Sequence, residues 1–200
     1  MAGRQMFRMI CGALALVLLL AACGGGGSKA PRNLDNACSI LNQKRGWLKD
    51  MKRTEKKWGV PVSVQMATFY HESKFIGNAR TPLRYTLGVI PMGRQSSAYG
   101  YAQALDGTWK EYTRDQRRFG AKRNRFSDAS DFMGWYMAES TRRLGIPQSD
   151  ARNQYLAYHD GRTGYSRGSY KRKPWLIRIA GEVGSRAGMY QNQLVSCGKI

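Results

Sequence analysis

The 200-residue chain has only two histidines, four cysteines and thirteen acidic side chains, and each shortage excludes something. His71 and His159 stand far apart, and no cysteine lies close enough to either to make a zinc motif. His71-Glu72 opens the zinc-protease pattern HExxH, but the second histidine would have to stand where Phe75 is, which closes that reading. No run reaches the eighteen or more apolar residues that a membrane-spanning helix needs. Thirteen acids against 33 basic residues leave a formal charge of +20 and a pI near 10.3. Such an excess calls for a polyanionic partner, whether nucleic acid, an anionic membrane or an anionic cell-wall polymer, and does not choose among them. What is present is 42% hydrophobic and 11% aromatic residues, enough for one folded domain with a real core.

The first 22 residues read as an address. Arg4 and Arg8 precede the apolar stretch MICGALALVLLLAA, which ends abruptly at GGGGS, the layout of a signal peptide. Leu20-Ala21-Ala22-Cys23 resembles the lipobox of bacterial lipoproteins, which implies cleavage before Cys23 and its acylation; the alternative is an ordinary secreted signal with a chance cysteine. Gly24 after that cysteine implies export to the outer membrane, with the protein facing the periplasm. Cleavage removes Arg4 and Arg8 and lowers the charge by two, to +18. Residues 23–37 then form a lipidated cysteine and a Gly-rich tether, and 38–200 form the domain. Cys38 and Cys197 remain as an even pair at the two ends of that domain, either bridged in an oxidising compartment or left as free thiols.

From Cys38 onward the pattern is helical. Ile40, Leu41, Leu48, Met51 and Trp58 fall on one face, and Gly59 predicts its end. Pro61 and Ser63 open a second helix through His71, and Asp106 or Thr108 opens a third. Asp128 or Ser130 is expected to start the next, which stops at Gly145, and Ser149 opens one that ends at Gly161. Pro174 takes an N1 position ahead of the stripe Leu176, Ala180, Val183, Ala187, Tyr190 and Leu194. Residues 77–100 and 161–173 read as functional loops.

Of five glutamates, four have a cation three or four residues away on their own helices and read as ion-paired surface groups. These are Glu55 with Lys52, Glu111 with Arg114, Glu139 with Arg142 and Arg143, and Glu182 with Arg178 and Arg186. Glu72 has Thr68, Phe69, Phe75 and Ile76 at the same offsets. Apolar neighbours and a place near a helix C-terminus both disfavour its charged form, as a general acid requires. The plainer alternative is an end-of-helix glutamate facing water beside Lys74.

Three segments in order, PVSVQMATFYHESKF, GYAQALDGTW and YLAYHDGRTGY, resemble the motifs of lytic transglycosylases with a soluble-transglycosylase, goose-lysozyme-like domain. The resemblance covers residues 60–165. It implies a mainly α, lysozyme-like single domain with an irregular or small β-hairpin loop over the cleft. It also implies that Glu72 is the single catalytic acid/base, supported by Ser73. Gly100 to Gln103 match the turn lining the glycan cleft, with Gln103 the direct contact, and Ser96 or its neighbour Ser97 matches a polar residue ahead of that turn. Tyr158 matches a tyrosine whose hydroxyl points at the glutamate, although its place seven residues after Ala151 also suits plain core. Tyr99 and Tyr101 sit where an aromatic ring could stack on sugar.

The chain departs from that pattern in three places. Glu72 and Gly100 stand 28 positions apart, so 77–97 reads as an insertion. Tyr101-Ala102 replaces Leu-Met, and His159-Asp160 replaces Asn-x, which puts a second carboxylate near the site. With Glu72 alone, the family's reaction is a lyase that closes a 1,6-anhydro muramyl ring and needs no metal or other cofactor. If Asp160 positions water, the product is a reducing sugar and the enzyme a hydrolytic muramidase. A non-catalytic murein-binding scaffold is the remaining rival. The expected partners are peptidoglycan glycan strands, the membrane through the lipid anchor, and a cell-envelope assembly that the sequence does not identify. Nucleic acid is disfavoured by the export signal.

Overall fold

The computed structural model describes residues 29–200. The expected signal peptide and lipidated Cys23 lie outside the described residues. Eight α-helices and one two-stranded hairpin follow in chain order among them.

The first helix, α1 (Ala37–Gln43), starts at Asn36, whose side chain accepts from Ser39 N–H at 2.8 Å. The chain breaks at Lys44 and resumes as α2 (Arg45–Trp58), so the expected single helix is two. Gly59, at φ 76°, closes α2 with its N–H on the Glu55 carbonyl. Pro61 then precedes α3 (Val62–Ser73), whose first eight residues are all buried.

Residues 31–37, expected as tether, are built into the domain. Pro31 is buried, Leu34 packs on the core, and the Tyr190 hydroxyl donates to the Leu34 carbonyl. Asp35 pairs with Arg186 at 2.8 Å.

The segment 77–100 holds the only sheet among the described residues, an antiparallel hairpin of β1 (Leu83–Thr86) and β2 (Ile90–Arg94). Tyr85 pairs with Pro91 and Thr86 with Ile90, and every residue of both strands is exposed. After it come α4 (Asp106–Asp115), α5 (Phe126–Leu144) and α6 (Ala151–Asp160). The fifth helix begins before Asp128 because that side chain is buried against Arg118, Arg125 and the Lys122 N–H instead of capping a helix. The expected loop 161–173 is ordered as α7 (Arg162–Ser166) and a 3₁₀ turn at Ser169–Arg172, and α8 (Pro174–Ser196) ends the fold.

Packing places α3 at the centre, against α8, with α2 on α5 and α6 on α8. Gly134 lets α5 approach α2, since a Cβ there would come within 2.5 Å of Thr54 and Trp58. Polar groups between α2, α3 and α5 pair with one another. Gln65 donates to the carbonyls of Met51 and Val60 and accepts from Ser130, which also shares a 2.7 Å hydrogen bond with Thr54. A disulfide between Cys38 and Cys197 ties α1 to the end of α8, with Cα atoms 6.6 Å apart across 159 positions.

Candidate active site

The last turn of α3 presents Glu72, and the backbone just beyond fixes that turn. Lys74 (φ 51°) and Phe75 (φ 61°) both adopt the left-handed conformation, each at a cost of about 1–2 kcal/mol for a non-glycine residue. The reversal sends the Phe75 ring back into the core, fully buried, where it stacks on Trp47 at 5.6 Å and meets Phe69. Burying such a ring stabilises by about 1.5–3 kcal/mol, comparable with the backbone cost it offsets.

Burial raises the Glu72 carboxyl to about 7, against a partly compensating hydrogen bond from the Tyr155 hydroxyl. Tyr155 is itself pushed up, by burial and by the Glu72 charge, so it stays a donor. Tyr158 lies one turn along α6 and feels the same charge, but its hydroxyl donates to the Ala102 carbonyl at 2.6 Å. The role expected of Tyr158 is thus divided. Tyr155 holds the glutamate, and Tyr158 holds the turn. Tyr155 stands three residues before Tyr158 on one helix, an offset that places both on the same face.

The turn 99–104 is built by backbone geometry. Gly100 sits at φ 83°, and a Cβ there would lie 2.2 Å from the Arg123 carbonyl oxygen. Gln103, at φ 45°, spends its amide on the carbonyls of Ala79 (3.0 Å) and Gly100 (2.8 Å). Its side chain lines a cleft cavity while clamping the inserted segment to the turn. Tyr101 is no sugar platform: it is 2% exposed and packs edge-on against Trp47 and Phe126. The Tyr99 ring lies under Arg80 and Arg123. Ser73 donates to the Phe69 carbonyl of its own helix, and Ser96 accepts from Ala98 N–H within the loop. No hydrogen bond of either serine reaches Glu72.

Two cavities open beside this centre. One, of about 250 Å³, lies between the turn and α5 and is lined by Gln103, Phe132, Tyr136, Tyr158 and Asp160. The other, of about 890 Å³, lies toward α8 and is lined by His71, Tyr155, Lys74, Arg178, Glu182 and Arg186 among others. His71 is neutral at pH 7, since burial, then Lys74 and Arg186, lower it to about 4.

Asp160 is not poised as a second base. Burial pushes its carboxyl up, but the Lys173 ammonium and Ser169 hydroxyl on it outweigh that and hold it below its usual range. The remaining glutamates are surface groups, with three changes of partner. Glu139 pairs with Arg142 and Arg143 as expected, whereas Glu182 keeps Arg178 but loses Arg186 to Asp35, Glu111 meets Arg162 at 3.8 Å, and Glu55 has no ion pair among the described residues. No cluster of three or more metal-ligating side chains occurs among those residues either.

A buried carboxyl at a helix end, facing two tyrosines and a glycine-hinged turn, is one half of the comparison, and the sequence match is the other. The family model for the transglycosylase SLT domain matches residues 11–197. The chain belongs to that family. No curated protein matches it. As an SLT-domain protein it is a transglycosylase whose substrate is peptidoglycan, and its mostly helical structure with one small antiparallel sheet is the lysozyme-like fold.

Proposed function

We propose that the chain is a murein lytic transglycosylase that cleaves the MurNAc–GlcNAc β-1,4 bond, with Glu72 as its single general acid and base. The observation that carries this reading is the Glu72 carboxyl, raised to about 7 and served by the Tyr155 hydroxyl. A group with that pKa gives up a proton and takes one back at neutral pH with little penalty either way.

Glu72 protonates the leaving glycosidic oxygen as the bond to the muramyl C1 breaks. The 2-acetamido oxygen of the same sugar bonds to C1 and carries the positive charge. The Glu72 carboxylate then removes the 6-hydroxyl proton while that oxygen displaces the acetamide from C1, closing the anhydro ring. The proton returns to where it began, and no water is consumed. The pairing of Asp160 with Lys173 and Ser169 supports this single-carboxylate route over a hydrolytic one.

The enzyme would work from the periplasmic face of the outer membrane, tethered through an acylated Cys23. Among the described residues no helix is long and apolar enough to cross a membrane.

Digestion of purified sacculi, read by mass spectrometry beside a Glu72→Gln protein, tests the reading. The expected result is anhydro-ended muropeptides, one water lighter than hydrolysis products and absent with Glu72→Gln. Reducing-end products would make the enzyme a muramidase, and sacculus binding without release would make it a scaffold.

A further inference from the structure

The two cavities beside Glu72 differ in charge. The smaller is lined by no lysine or arginine. The larger is lined by three cations, Lys74, Arg178 and Arg186, and one acid, Glu182. Two of those cations are neutralised within the protein: Arg178 pairs with Glu182 at 2.7 Å, and Arg186 with Asp35 at 2.8 Å. Lys74 is in none of the ion pairs of the described residues. It is held instead over the Tyr70 ring at 3.5 Å, with the Arg186 guanidinium over the same ring at 3.4 Å. Lys74 therefore has no ion-pair partner of its own among the described residues, with Glu182 and Asp35 acting on it only at longer range, in a cavity that reaches Tyr155, the residue bonded to Glu72. The same wall contains His71 Nε2, one of two buried side-chain polar atoms without a hydrogen-bond partner among the described residues.

We propose that this cavity takes a carboxylate of the substrate's muramyl residue, carried by its lactyl group or by the stem peptide attached there. The inference rests on the murein reading above. The substrate's chemistry suits this placement, because the lactyl ether stands on C3 of the ring whose C1 reacts. A carboxylate there lies within reach of a site adjoining the catalytic acid. Lys74 supplies the charge-assisted contact and Tyr70 keeps its ammonium in place. Lys74 is a binding residue in this account and takes no part in proton transfer.

The test measures affinity in full-length protein carrying Glu72→Gln, so that ligands are not turned over. Three probes are titrated calorimetrically: a disaccharide–tripeptide muropeptide, the same disaccharide without peptide but with its free lactyl carboxylate, and chitotetraose, which has no carboxylate. Lys74→Asn is chosen because asparagine tolerates the left-handed backbone at that position. It is expected to weaken binding of a carboxylate-bearing probe roughly tenfold and leave chitotetraose unchanged, with Lys74→Arg restoring most of the loss. A loss confined to the tripeptide probe assigns the site to the stem peptide. A loss confined to the peptide-free disaccharide assigns it to the lactyl group, whose carboxyl is an amide in the tripeptide probe, and a loss with both probes shows that a carboxylate on either can occupy the site. Equal affinities of Lys74→Asn and its parent for all three probes would overturn the inference while leaving the murein reading intact. No binding of any probe by the parent, with no release from sacculi by the unsubstituted protein, would overturn both.

Discussion

As the proposed general acid, Glu72 combines two demands that pull against each other. A general acid active near neutrality has to be partly desolvated, and desolvation costs stability once the group ionises. The folded protein keeps the Glu72 proton up to about pH 7, whereas the unfolded chain loses it near the ordinary value of 4.5. Between those values the folded state binds more protons, so stability falls as pH rises through that window, by up to ~3 kcal/mol. Glu72→Gln is accordingly expected to melt higher than the parent at pH 8 and close to it at pH 4.5, as thermal denaturation at the two pH values would show. Tyr155 acts in the opposite direction, because its hydrogen bond favours the ionised carboxyl. Tyr155→Phe should move the alkaline limb of the pH–rate profile to higher pH and lower the turnover number, with the acid still present. Tyr158→Phe should leave that limb nearer its parent position, since its hydroxyl is committed to the Ala102 carbonyl.

At the scale of elements, the site depends on how α3 ends. The consecutive left-handed residues Lys74 and Phe75 are tolerable only because the Phe75 ring is buried beside Trp47 and Phe69. Phe75→Ala is expected to cost about 3–5 kcal/mol and to disturb the aim of Glu72, giving a lower urea midpoint together with a fall in kcat. Gly134→Ala would thrust a methyl group into Thr54 and the Trp58 ring and should cost about 1–3 kcal/mol by the same measurement. The hairpin behaves differently. Leu87 and Val89 at its tip are 85% and 75% exposed, and both strands are open to solvent throughout. Replacing that pair by serine should leave the unfolding free energy, read by urea denaturation, within about 0.5 kcal/mol of the parent.

For the whole molecule, the disulfide and the charge are the governing features. Cys38–Cys197 closes nearly the entire ordered domain into one loop, and a loop of that size stabilises by on the order of 5 kcal/mol in the chain-entropy model. Protein carrying Cys38→Ala and Cys197→Ala should therefore unfold at clearly lower temperature, with α1 and the end of α8 the first parts to exchange their amide hydrogens. The formal charge of +20 across the chain predicts adhesion to an anionic polymer that weakens as salt shortens the screening length. Sacculus pull-down over a salt series measures it.

Helix order and the singularity of Glu72 among the glutamates were legible in the sequence, because both rest on local offsets. Gly59, Gly145 and Gly161 closed their helices as expected, and Pro174 opened the last one. Glu72 stood apart by its neighbours at three and four residues, which lie on the same face of any α-helix. What faces that glutamate was decided only by tertiary packing. Tyr155 and Tyr158 reach the site because α6 and α3 both pack on α8. Tyr101 leaves the cleft because the Gly100 turn tips its ring between Trp47 and Phe126. Asp160 turns from a candidate base into a structural anchor because Lys173, thirteen positions on, is folded back onto it. Offsets along a helix are set by its pitch and are therefore written in the sequence. Partners brought from distant segments are set by which faces bury together, and that emerges only when the whole core is assembled.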